Sequence, residues 1–313
     1  MTRSRYHRRR VQRQLLLRPR PPTRRHPRPR AGHPGTARSR RLAAVGQPGA
    51  AGRQRRRRTG ILPADRLVHL LAAARAASVV LAQKQRRRQT PFTGKVVVLD
   101  PGHNPNNRDH TAEISRHVDI GTDEKECDTT GTATDAGYSE ASFTLDVARH
   151  ARALLEARGA TVKFTQDGDR AFGPCVDERA RIGNSAHADA VVSVHADGAP
   201  AGDRGFHVIL PKSVRGGDAD TSKIAAPSRR LGERVRGEFM DATHSEPADY
   251  IGDGSGLNVR GDLGGLNLST VPKVFIECGN MRDSKDAAEL TDPKWRERAA
   301  LGIAQGITDF LNG

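Results

Sequence analysis

Residues 189–195 read DAVVSVH: a short run of small and β-branched apolar residues with an acid before it and an imidazole at its end. Such a run is too short for a helix and is apolar throughout rather than at alternate positions. It predicts a strand buried on both faces, the habit of parallel sheets. Working outward, two further stretches read the same way. KVVVLD (95–100) leads through Pro101 and Gly102 to His103, and KVFIE (273–277) ends on Glu277. Weaker strands are expected at 161–165 and 205–210. Between them lie helical patterns at 140–158, 176–187, 221–240 and 293–311, the last opened by Asp292 and Pro293. Strands alternating with helices predict an α/β fold: a mostly parallel twisted sheet flanked by helices, in one domain over residues 92–313. The polar stretch 104–139, rich in Asn, Asp, Thr and Gly, reads as a long loop, and loops of that length are commonly functional.

The formal charge of +16 suggests nucleic-acid binding until its distribution is examined. Residues 1–90 hold 26 of the 52 Lys and Arg and a single acid, Asp65, whereas the remaining 223 residues carry 26 bases against 35 acids. The expected folded part is therefore mildly acidic, and no nucleic-acid partner is expected for it. Residues 1–60, with their RPRPP and RQRRRR runs, are expected to form a disordered Arg- and Pro-rich leader, or to reflect a start placed too far upstream. A basic nucleic-acid-binding protein acting through that leader is one alternative function. Residues 61–91 contain LVHLLAAARAASVVLAQ (67–83), a degenerate secretory-signal pattern interrupted by His69 and Arg75. It is shorter than the ~20 apolar residues of a membrane span, so no stable span is expected. The three cysteines lack CxxC spacing, which argues against a thiolate zinc site. In an exported protein Cys127 and Cys175, both in polar stretches, are candidates to pair, and Cys278 is expected to be a buried free thiol.

The three strongest strands each run into a titratable residue: His103, His195 and Glu277. Ligands of open α/β sheets bind beyond the carboxyl ends of the strands, so these residues are expected to converge. Glu140, at the start of the first long helix, is a fourth candidate. Two imidazoles and a carboxylate form a catalytic zinc ligand set, and a second carboxylate that does not bind metal can carry the proton. Spacing alone does not decide which carboxylate does which.

A resemblance decides it. DPGH at 100–103, E-x-x-F-T-L-D-V-A at 140–148, D-E-R-A-R-I-G-N at 177–184, S-V-H-A-D at 193–197 and V-F-I-E-C-G-N-M at 274–281 occur in order. Together they resemble the zinc-dependent N-acetylmuramoyl-L-alanine amidases of the Amidase_3 type, and in particular their single-domain actinobacterial members. The resemblance implies zinc held by His103, Glu140 and His195, with Glu277 polarising the attacking water. It also implies a peptidoglycan or muropeptide substrate cut between N-acetylmuramic acid and L-alanine, in wall remodelling or cell separation. An exported monomer in the periplasm or cell envelope is expected, with Asn280 or a backbone amide near Gly279 positioning substrate. A catalytically silent peptidoglycan-binding protein is the alternative within this resemblance, and intact Glu277 argues against it. Three departures stand out. The insert before Glu140 is long and brings His110, His117 and the acids Glu113, Glu124 and Glu126 as competing ligands. Thr165-Gln166 replaces the usual Thr-Arg, and Asp197 replaces the usual Asn after His195-Ala196.

Overall fold

The computed structural model describes residues 92–313, so the expected leader (1–60) and the signal-like segment (61–91) lie outside the described residues. In chain order the elements are β1 (Val96–Pro101), α1 (Thr111–Ile114), β2 (His117–Asp119), β3 (Glu124–Glu126), α2 (Glu140–Glu156) and β4 (Thr161–Phe164). They continue with α3 (Val176–Ser185), β5 (Ala190–Asp197), β6 (His207–Pro211), β7 (Arg215–Gly216), β8 (Ala219–Asp220) and α4 (Ala225–Thr243). The chain closes with β9 (Leu257–Arg260), α5 (Gly264–Asn267), β10 (Lys273–Asn280), α6 (Ser284–Thr291) and α7 (Pro293–Asn312). A six-stranded sheet runs in the order β4-β1-β5-β10-β6-β9. The pairs β4–β1, β1–β5, β5–β10 and β6–β9 are parallel, and β10–β6 is antiparallel.

The reversal at β6 has a local cause. Residues 198–206 are too few to carry a crossover helix back to the far edge, so the next strand starts at the edge where β5 stopped. The beginning of β6 therefore lies beside the end of β10, at the same edge of the sheet as the ends of β1 and β5.

The two faces of the sheet differ in chemistry. Side chains alternate along a strand, and Val97, Leu99, Val192, Val194, Val208, Leu210, Val274 and Ile276 share one face, all essentially inaccessible. They pack under α2, α4 and α7, which contribute Phe143, Val147, Leu231, Val235, Phe239 and Ile303 to the main core. The opposite face holds a smaller apolar cluster, Val98 and Val191 with Ala188, against Ile182 and Ala186 of α3 and its end. Beyond that patch the same face carries Asp100, Ser193, His195, Lys273, Glu277 and His207, aligned by Asp100↔Ser193, Lys273↔Val191, Glu277↔His195 and Glu277↔His207 pairing.

The helix starts follow their caps. Ser139 accepts from Ser142 N at α2, and Asp292 accepts from Lys294 N at α7 with proline in the first turn. Several expectations need correction. The stretch 104–139 is not all loop: it contains α1 and the β2–β3 hairpin, whose strands are three residues each and too short to register as a pattern. The strand at 189–195 runs on to Asp197 and that at 273–277 to Asn280, because their pairing resumes after a bulge. The helix expected at 221–240 begins at Ala225 and ends at Thr243.

Candidate metal centre

His103 follows β1 in the left-handed region, with φ of 60°, which few side chains other than Asn, Asp and His tolerate. Its carbonyl is held by two donors, Gln166 Nε2 at 2.9 Å and Arg179 Nη2 at 2.9 Å. Glu140 is the first residue of α2 and is 4% exposed. Its Oε2 lies 3.1 Å from His103 Nε2 and accepts from Thr132 N at 2.9 Å. Its Oε1 lies 3.0 Å from His195 Nδ1 and accepts from Ala196 N at 3.2 Å. The His195 ring stacks on Phe275 with centroids 5.2 Å apart and meets His103 edge-on at 5.1 Å. One donor atom from each of His103, Glu140 and His195 falls within 4.8 Å of the others.

Two glycines make the approach possible. A Cβ on Gly102 would fall 2.5 Å from His195 Nδ1, and one on Gly131 would fall 2.8 Å from Glu140 Oε2.

Glu277 stands one strand over from His195 as its register partner. Its pKa is pushed well above the ordinary carboxylate value, first by burial and then by the neighbouring Glu140 and Asp197 carboxylates. Glu140 goes the other way. Burial opposes its charge, but the His103 and His195 imidazoles outweigh burial and hold it low. Two carboxylates with oppositely displaced pKa values in one site are the usual mark of divided roles. His207, on the other side of Glu277, is pulled down to about 4 by burial and so stands there as a neutral ring. Asp197 accepts from Tyr250 Oη at 3.0 Å. His103, Glu140, His195, Asp197, Ile209, Arg260, Phe275 and Glu277 line an open cleft of about 460 Å³.

Beneath the cleft lies a charged network that spacing did not reveal. Asp100 is fully buried and takes Arg179 Nη1 at 2.8 Å, Lys273 Nζ at 3.0 Å, Thr165 Oγ1 at 2.6 Å and Ser193 Oγ at 2.8 Å. Burial alone would raise its pKa, yet the two cations hold it well below the usual range. Arg179 spends its remaining donors on the carbonyls of Pro174, Pro101 and His103 and on Asp128. A signal for it existed. Val176, Arg179, Ala180 and Gly183 recur at helical spacing, which sets a charged residue on the inward face of α3. Tyr250 and His207 carried no such signal.

The other expected residues divide. Asn280 is not at the cleft: it is buried, and its amide donates to the carbonyls of Ala199, Pro200 and Asp203, so it fixes the loop after β5. Gln166 likewise works on backbone carbonyls, those of His103 and Pro101. The competing ligands of the insert stay outside the centre. His110 pairs with Glu113 at 3.1 Å, His117 lies 3.9 Å from Glu124, and Glu124 and Glu126 are exposed on β3. Cys127 and Cys175 are joined by a disulfide, and Cys278 is a buried free thiol.

Residues 97–309 match the family described as N-acetylmuramoyl-L-alanine amidase. The chain belongs to the N-acetylmuramoyl-L-alanine amidase family. The amidase Rv3717 of Mycobacterium tuberculosis is 36% identical over 237 residues, which cover 75% of this chain and 94% of that protein. Among solved structures, Ami1 of Mycobacterium smegmatis is 42% identical with a TM-score of 0.64, covering 71% of this chain and 98% of that one. Ami1 of Mycobacterium abscessus is 41% identical at the same TM-score, covering 70% and 100%. This amidase is therefore a hydrolase with the family's mostly parallel, helix-flanked sheet, and the His103–Glu140–His195 cluster is compatible with a metal site. Among the described residues no helix is long and apolar enough to cross a membrane.

Proposed function

We propose that residues 92–313 form a zinc amidase that cuts the amide between the lactyl group of N-acetylmuramic acid and L-alanine in peptidoglycan or muropeptides. The donor chemistry fits zinc: two imidazole nitrogens and one carboxylate, with a side open to the cleft for substrate. His103 Nε2, His195 Nδ1 and a Glu140 oxygen are the atoms that would hold it. When bound, zinc polarises a carbonyl oxygen and lowers the pKa of water to ~7. Glu277 takes the proton from the attacking water and returns it to the departing amine of L-alanine, which its displaced pKa suits. The amide C–N bond breaks, leaving a lactyl carboxylate and a free α-amino group. Phe275 holds the His195 ring from below, and Arg260, at the cleft wall, faces the acidic side of the site.

The observation that carries this reading is the meeting of three donors within 4.8 Å with Glu277 paired directly to one of them. The enzyme acts as a monomer outside the cytoplasmic membrane, in wall remodelling or daughter-cell separation, and residues 61–91 serve its export. The test is metal analysis of the full chain with product identification on a muramyl peptide. About one zinc per chain and a newly freed L-alanine amine are expected. Full activity in zinc-free protein refutes the mechanism.

A further inference from the structure

His103 Nε2 faces Glu140, so its other nitrogen, Nδ1, points away from the ligand position. Three groups meet Nδ1 there, all from the segment just after Cys127: the Thr129 carbonyl at 3.1 Å, Thr129 Oγ1 at 3.2 Å and Asp128 Oδ1 at 3.3 Å. A carbonyl and a carboxylate only accept. A proton on Nδ1 is therefore held there, and when Nε2, which faces the Glu140 carboxylate, gives its own proton up to a metal, the ring is left in the Nδ1–H tautomer that a metal-binding imidazole requires. Asp128 is 7% exposed, and its other oxygen accepts from Arg179 Nη2 at 2.9 Å. That same Nη2 donates to the His103 carbonyl at 2.9 Å. One guanidinium thus fixes both the backbone of His103 and the carboxylate facing its ring.

We propose that Asp128 is a positioning residue for His103, and that the Cys127–Cys175 disulfide is the clamp that keeps Asp128 in place. Cys127 immediately precedes Asp128. Cys175 is the N-cap of α3, and its carbonyl accepts from Arg179 N at 2.9 Å. The disulfide therefore joins the strand of chain that carries Asp128 to the helix that carries Arg179, the two halves of the ion pair behind His103. Beside it, Val176 N donates to the Cys127 carbonyl at 2.8 Å, a single backbone bond that would remain after reduction. The insert thus supplies no metal ligand but governs the aim of one. The inference rests on the metal reading above.

The test is zinc affinity, measured by chelator competition on the full chain, in wild type, D128N and the double variant C127S/C175S. The amide that D128N introduces would offer one acceptor where His103 Nδ1 and Arg179 need two, so one of them would face an NH₂ group. Both variants are expected to bind zinc ~10–100-fold more weakly, the usual cost of losing a ligand's outer partner. NMR of the zinc-loaded proteins is expected to show the His103 Nδ1–H protected from solvent exchange in wild type and exchanging faster in D128N, a change that a purely structural role for Asp128 does not produce. Wild type that takes up no zinc overturns the metal site and this inference with it. Wild type that binds zinc while the variants bind equally well, whatever their melting temperatures, overturns this inference alone. If D128N does not fold, an unchanged affinity in C127S/C175S still refutes the clamp.

Discussion

Gly102→Ala adds one methyl group at the point where β1 hands over to His103, and the structure fixes what that methyl meets. Its Cβ would press on His195 Cε1 and lie 2.5 Å from Nδ1 and 2.7 Å from Nε2. Non-bonded carbons settle near 3.5 Å, so about 1 Å of relief is needed. The backbone cannot give it, because Gly102 N donates to the Val194 carbonyl at 2.9 Å and the Gly102 carbonyl accepts from Thr144 Oγ1 at 2.8 Å. The ring must move, and it is already backed by Phe275. Overpacking of this kind costs about 1–3 kcal/mol, a melting-temperature loss of roughly 2–4 °C per kcal/mol in a domain of this size. The effect on metal is larger, since zinc sites tolerate only ~0.2 Å in ligand distance. Zinc affinity should fall by more than the ~100-fold attached to losing an outer partner. Zinc titration, melting and turnover on the variant, compared with wild type, test this. A Gly102→Ala protein that binds zinc at wild-type affinity and turns over normally refutes the placement of His195 in the site.

The remaining predictions concern the carboxylates and the network beneath them. Glu277→Gln should keep zinc while turnover falls ~100-fold or more, and Glu140→Gln should lose zinc, so metal content and rate measured together distinguish the roles; swapped outcomes would exchange them. Asp100 titrates well below its unfolded value of about 3.9, so it contributes stability above that pH which is lost as pH falls through the folded value. Urea midpoints should accordingly decline between about pH 5 and pH 2, and Asp100→Asn should flatten that slope while lowering stability at neutral pH; an unchanged slope argues against the pair. Arg179→Met leaves Asp128 without its cation and Asp100 with Lys273 alone, and should destabilise the fold by about 3–5 kcal/mol by chemical denaturation.

The strands that build the site could be read from the sequence because each is a continuous apolar run, and each of those runs ended close to its functional residue. The approach of His103, His195 and Glu277 was legible as a convergence of strand ends, and that of Glu140 as a helix start facing the same edge. The roles of the two carboxylates needed the family resemblance, because both stand at element ends and differ only in what surrounds them. What stayed hidden was set by contacts distant in sequence. Asn280 sits in a late motif but is absorbed by carbonyls from residues 199, 200 and 203. Asp128 lies in a polar stretch without periodicity, and only its neighbour Cys127 marked it. β9, α5 and α6 are too short or too mixed in polarity to show a period. The antiparallel turn at β6 follows from a connection length rather than from the strand's own residues.

The charges below the site also explain why one sheet face could give up its apolar core. Asp100 and Asp128 are balanced by Arg179 and Lys273, two against two, with every member nearly or fully buried. A balanced cluster places little net field on the cleft above, so the ligands see mainly their own charges. Burying four charges is costly, and an apolar replacement of the same volume is often more stable. The advantage lies in geometry. Arg179 has directed donors in a rigid fork, and they fix the carbonyls of Pro101, His103 and Pro174 together with two carboxylates. Apolar packing could fill that space, but it could not hold His103 at a left-handed φ with its Nδ1 aimed at Asp128 and Nε2 at the cleft. The network therefore belongs to the function of the site, and its stability is the quantity most exposed to acid.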